Sequence, residues 1–164
     1  MNDATAAYDK LLEIDGVDPE NISAVGSSFG GYILALLTSK RKIKNLVLRV
    51  PANYPNEGFT KLQKNAGIEN PGVKEWRMQK RKPDATYSLE AVHDFKGNVL
   101  IIESELDDVI PHQIIESYTN AVSDKSKLTH EVLKGAPHSI QEREFKDMVE
   151  KVYLEWFSKL LANK

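Results

Sequence analysis

Residues 22–30 read Ile22-Ser23-Ala24-Val25-Gly26-Ser27-Ser28-Phe29-Gly30, and Gly31-Tyr32-Ile33-Leu34 follows. An apolar, strand-like run enters a glycine-bounded turn and leaves it as a run of helical character. The turn is a G-x-S-x-G pentapeptide in strand–turn–helix context, the setting in which a serine projects above the end of a parallel sheet. Gly26 and Gly30 are expected to permit a bend that side chains would obstruct. With 9 Gly and 11 Ser in 164 residues, about 0.03 such matches are expected by accident. Ser28 is the candidate nucleophile.

Working outward, residues 3–15 predict an amphipathic helix capped by Asp3, with Ala7, Leu11, Leu12 and Ile14 on its apolar face and Gly16 as its stop. Asp18-Pro19-Glu20-Asn21 is a turn signature. The first strand is 22–26, and a helix runs from about 28 to 40, where Lys40, Arg41 and Lys42 suit the negative end of its dipole. Residues 44–50 form a second strand. Residues 98–103 form a third, as apolar as strands of a parallel sheet covered on both faces. Pro111 starts a helix carrying Ile114, Ile115, Tyr118, Ala121 and Val122, and 127–133 is a fourth strand. A final helix, about 140–162, aligns Phe145, Met148, Val149, Val152, Tyr153, Trp156, Phe157 and Leu160.

Strands alternating with helices predict an α/β fold, one domain over residues 1–164, around a parallel sheet of about four strands with helices on both faces. Residues 51–95 break the pattern. Pro51, Pro55, Pro71 and Pro83 punctuate them with Gly58, Gly67 and Gly72 between, while Tyr54, Phe59, Trp76 and Tyr87 add aromatic mass. So long a stretch within a compact domain predicts a small cap or lid built of short helices.

Composition narrows the function. The chain is 41% hydrophobic and 28% charged with net charge −2, which suits one globular core and gives no electrostatic case for nucleic acid or an anionic membrane. No apolar stretch approaches the roughly 20 residues that span a bilayer. Asp3, Asp9, Lys10 and Glu13 argue against a secretory signal at the start of the chain. There are no cysteines, which excludes thiol catalysis and cysteine-based zinc sites and fits a cytoplasmic setting. No H-x-x-x-H spacing implies a metal, and no cofactor motif is present.

A serine hydroxyl needs a base to take its proton and a third group to orient that base. Glu105-Leu106-Asp107-Asp108-Val109-Ile110-Pro111 puts carboxylates after the third strand, and Gly135-Ala136-Pro137-His138-Ser139 puts an imidazole after the fourth. Carboxyl ends of parallel strands share one edge of a sheet, so Ser28, an Asp and His138 are expected to meet there. Alternatives stand beside each assignment. Ser28 could instead cap the following helix, Ser27 competes as nucleophile, Asp108 rivals Asp107, and His138 could be an ordinary loop histidine. Glu103 and Glu105 read as solvated or paired with nearby cations. His93, His112 and His130 show no partner pattern, and Lys80-Arg81-Lys82 reads as a solvated face.

The chain resembles the α/β-hydrolases, nearest to serine esterases of the dienelactone-hydrolase and prolyl-oligopeptidase-like group. Gly26, Ser28, Gly30 and Gly31, then Asp107 with Val109-Ile110-Pro111, then Gly135 with His138 carry the likeness, in the chain order Ser…Asp…His. The resemblance implies a hydrolase of esters or related acyl compounds, acting on small-molecule substrates without metal or cofactor. It implies Ser28 as nucleophile, His138 as base, Asp107 as its orienting acid, and the Phe29 N–H as an oxyanion-hole donor. Only 27 residues precede Ser28, so it also implies a core reduced at its N-terminal side. The loop that gives the second oxyanion donor, worth about 10²–10³ in rate, is then missing. A non-catalytic binding or assembly module is the second reading. With no upstream strand to cover the edge of the first strand, a homodimer is expected.

Overall fold

The computed structural model describes residues 1–58 and 71–162. Four parallel strands, β1 (Ser23–Ser27), β2 (Asn45–Arg49), β3 (Asn98–Leu106) and β4 (Leu128–Pro137), lie side by side in chain order. Around them are α1 (Asn2–Leu11), α2 (Phe29–Leu37), α3 (Pro71–Arg77), α4 (Tyr87–Asp94), α5 (His112–Ala121) and α6 (Arg143–Ala162). The expected α/β architecture is present, with β1 and β2 within a residue of their expected bounds, β3 reaching to Leu106 and β4 to Pro137.

Alternation along the strands builds two cores. Leu46, Leu48, Val99 and Ile101 face one side and pack with Tyr32 and Leu36 of α2, Leu89 and Val92 of α4, and Ile114, Ile115 and Tyr118 of α5. Val47, Leu100 and Ile102 face the other, against Trp156, Phe145, Met148, Val149, Val152 and Tyr153 of α6. Every position of β2 is buried, the consequence of a mid-sheet strand covered on both faces. Each buried Leu, Ile or Val contributes about 1.5–3 kcal/mol over its exposed state, so packing rather than helix propensity holds the layers together. At the amino ends of the strands a polar ladder fixes register: Asn98 Nδ2 donates to Asn45 Oδ1 at 2.9 Å, and Asn45 Nδ2 to Ser23 Oγ at 3.0 Å.

Within residues 51–95, α4 packs into the main core through Leu89 and Val92. α3 is tied down by buried Arg77, which donates from Nε to the Asn53 carbonyl at 3.0 Å and stacks 4.6 Å over the Tyr54 ring. Phe59 and Gly67 lie outside the described residues.

The first helix departs from expectation. It ends at Leu11 rather than near residue 15, and Asp3 lies inside it without capping it. Ala7, Leu11, Leu12 and Ile14 are exposed, while Tyr8 is the buried side chain, its hydroxyl donating to the Lys42 carbonyl at 2.6 Å. Sequence periodicity gives a helix an apolar face but not the neighbour that face meets. Here the docking face is the one carrying Tyr8. Arg41 binds Asp9 of α1 through Nε and Nη2, both at 2.6 Å.

Candidate active site

Strand register brings the chemistry together. Leu106 of β3 stands opposite Pro137 of β4 after a shift between Ser104 and Leu106. The residues just beyond the two strand ends are therefore Asp107 and His138, side by side at the carboxyl edge of the sheet. Ser27 stands opposite Arg49 at the end of β1, and Ser28 is the next residue there.

Ser28 adopts φ 52°, ψ −119°, a left-handed conformation seldom taken by a residue with a side chain. Its N–H donates to the Arg49 carbonyl at 3.0 Å, and its own carbonyl accepts from Tyr32 at 3.2 Å and Ala52 at 3.0 Å. These bonds hold the sharp turn. The Ser28 side chain makes no capping bond to α2, which removes the helix-cap alternative. The hydroxyl instead lies 3.1 Å from His138 Nε2, and His138 Nδ1 lies 2.8 Å from Asp107 Oδ2. An ionised carboxylate only accepts, so Nδ1–H donates to Asp107 and Nε2 is left to accept the serine proton. The two side chains are 13% and 4% exposed, shielded enough for these bonds to outcompete water.

Of the rivals, Ser27 turns away to Arg49, which donates to its Oγ from Nη1 at 2.6 Å. Asp108 is exposed and lies outside the relay. Phe29 opens α2 directly after Ser28, where backbone N–H groups lack helical acceptors. Its ring lies 6.1 Å from Tyr32 and 6.2 Å from Tyr54, with Tyr32 and Tyr54 at 4.9 Å. Burial, and then the neighbouring Tyr54, push the Tyr32 phenol up to about 12.

The glycines divide unexpectedly. A Cβ on Gly26 would meet the Gly30 carbonyl oxygen at 2.7 Å and Leu34 Cδ1 at 2.8 Å, and one on Gly31 would meet Pro51 at 3.1 Å. A Cβ on Gly30 meets nothing within 4 Å. Gly30 is thus not sterically required, contrary to the reading of the pentapeptide; Gly26 and Gly31 are the close approaches.

Two further expectations change. Glu103 is buried and accepts from both His112 Nδ1 at 2.6 Å and His130 Nε2 at 3.1 Å, so these histidines do have a partner. Arg81 stacks 4.3 Å over Trp76 and donates to its carbonyl rather than facing solvent freely. Arg49, unremarked in the sequence, reaches residues on two sides of the site. Only its position at a strand end next to the nucleophile turn could have flagged it.

A cleft of ≈ 500 Å³ opens beside His138, lined by Ser27, Arg49, Ser139, Ile140 and Tyr153 among others. A second, ≈ 310 Å³, lies between Arg77 of α3 and the loop carrying Asp107 and Asp108. Among the described residues, no group of three or more His, Cys, Asp or Glu side chains could hold a metal ion, and no helix is long and apolar enough to cross a membrane.

The sequence profile of the prolyl oligopeptidase family matches residues 1–164. No curated protein matches the chain. Solved structures resemble it in fold. The monoacylglycerol lipase of Paleococcus ferrophilus is 19% identical with TM-score 0.62, over 94% of this chain and 74% of that one. Est1E from Butyrivibrio proteoclasticus, with ferulic acid bound, is 18% identical with TM-score 0.67, over 98% and 67%. The acylaminoacyl peptidase of Pyrococcus horikoshii is 18% identical with TM-score 0.66, over 95% of this chain but 27% of that one.

Proposed function

We propose that this chain, which belongs to the prolyl oligopeptidase family, is a serine hydrolase that cleaves carboxylic esters through an acyl-enzyme on Ser28. The observation that carries the reading is His138, bonded at one ring nitrogen to Ser28 and at the other to Asp107. Ser28 Oγ attacks the acyl carbon while His138 Nε2 takes its proton, then returns it to the departing alkoxide. Water then attacks the acyl-enzyme as His138 Nε2 takes its proton; the acyl bond to Ser28 Oγ breaks, the imidazolium returns the proton to Oγ, and the acid leaves. Asp107 holds the tautomer and stabilises the imidazolium. The Phe29 N–H gives one donor to the tetrahedral oxyanion. Esters suit the proposed step because an alkoxide leaves more readily than an amine. A cytoplasmic setting belongs to the same proposal, and the cysteine-free composition agrees with it.

A fluorophosphonate probe tests the reading. Labelling is expected in the intact chain and none in Ser28→Ala. Hydrolysis of a short p-nitrophenyl ester falls to background in Ser28→Ala and in His138→Ala, and no further in the double variant, because the two share one step. An unlabelled intact chain would favour the second reading, a binding or assembly module built on the same core.

A further inference from the structure

We infer that Arg49 is a positioning residue, one that ties the nucleophile and the base to the same strand end; the inference rests on the proposed roles of Ser28 and His138. Three bonds converge on it. Its carbonyl accepts the Ser28 N–H at 3.0 Å. Its guanidinium donates from Nη1 to Ser27 Oγ at 2.6 Å and from Nη2 to the His138 carbonyl at 2.5 Å. The base lies 110 residues from the nucleophile along the chain, just beyond Pro137, where β4 ends. Past that point the sheet ladder no longer fixes its backbone, and the Arg49 bond to the residue's own carbonyl is the tether from the nucleophile side.

The environment suits this role. Arg49 is 8% exposed on the face of the sheet under α6, at the end of a strand buried throughout. Its Nε has no hydrogen-bond partner, an expense a purely structural site would avoid by placing an apolar side chain there. A planar fork reaches two acceptors in fixed directions, which an ammonium group cannot do. Burial draws the Arg49 guanidinium below its ordinary value, while Tyr153 and Asp107 favour its charge. The side chain makes no hydrogen bond to Ser28 Oγ or the imidazole ring. It sets where they stand.

The test uses the full chain, with reactive serines titrated by fluorophosphonate so that rates are expressed per competent site. Arg49→Met keeps the stem and removes the fork. Its kcat per titrated serine is expected to fall about 10- to 100-fold, the scale of a misplacement near 1 Å. KM for a short p-nitrophenyl ester should stay within about twofold, since the lost interaction is not with substrate. Arg49→Lys should recover part of the loss, and it carries the same test should the methionine variant not fold. Wild-type kcat per titrated site in folded Arg49→Met, or in Arg49→Lys where the methionine variant does not fold, with only fewer competent sites, would reduce Arg49 to a structural residue and overturn the inference. An unlabelled intact chain would instead refute the reading of Ser28, and this inference with it.

Discussion

Asp107 divides its carboxylate between His138 and its own loop. Oδ2 lies 2.8 Å from His138 Nδ1, while Oδ1 accepts the N–H groups of Val109 and Ile110 at 2.8 and 2.7 Å. The loop thereby aims the acid before any substrate arrives. Asp107→Asn keeps the shape but can offer an NH₂ to the ring, favouring the tautomer with its proton on Nε2, where it faces Ser28 and cannot accept. We expect kcat for ester hydrolysis to fall by about 10⁴, with Asp108→Asn nearly unchanged. A larger loss in Asp108→Asn would move the orienting role to that residue.

The nucleophile turn makes a steric prediction that pairs two glycines of one motif. Gly26→Ala forces a Cβ to 2.7 Å from the Gly30 carbonyl oxygen, so urea unfolding should show a loss of about 1–3 kcal/mol, the scale of core overpacking. Gly30→Ala enters open space inside a helix and should be neutral or stabilising by up to about 1 kcal/mol. Equal losses in both would show that the pentapeptide needs both glycines after all.

Stability near the base should depend on acid pH through Glu105. Its carboxylate accepts from Lys134 at 2.7 Å and from the Gly135 N–H at 2.8 Å. Lys134 first, and Gly135 after it, hold the carboxyl below its ordinary 4.5. A carboxyl lowered on folding contributes stability above its unfolded value and loses it as pH falls through the folded one. The Tm gap between wild type and Glu105→Gln should therefore be open at neutral pH and close below about pH 4. A gap that widened toward acid would contradict the sign.

The outer edge of β1 carries an association prediction. β1 ends the sheet, and Val25 on it is 47% exposed. Unpaired strand edges recruit further strands, and twofold dimers are the commonest result. Sedimentation of this chain at micromolar concentration should give twice 18.5 kDa, reverting to monomer in Val25→Lys. A wild-type monomer would show the edge to be self-sufficient.

What the sequence disclosed, and what it withheld, follows from the range of the forces involved. The strands and α6 were legible because burial on one or two faces imposes a period on adjacent residues. Ser28, Asp107 and His138 were legible because each follows a strand, and parallel strands deliver their ends to one edge. The docking face of α1 was not, since whether Leu11 or Tyr8 is covered depends on a distant partner. Nor was the pairing of Glu103 with His112 and His130, which lie 9 and 27 residues away and meet only through strand register. Arg49 was hidden for the same reason, as its acceptor at residue 138 lies 89 positions away.

The strand order 1-2-3-4 also bears on how the molecule comes into being. Each new strand docks on the exposed flank of the last, and none has to be slotted between two already placed. Synthesis from the amino end can therefore lay down the sheet vectorially, one strand–helix increment at a time. Of these four strands the first leads into Ser28, the third into Asp107 and the fourth into His138. In a chain whose four strands dock in this order, the Ser28 hydroxyl stands without His138 until β4 is in place, so the proposed chemistry and the pairing of β4 would arrive together.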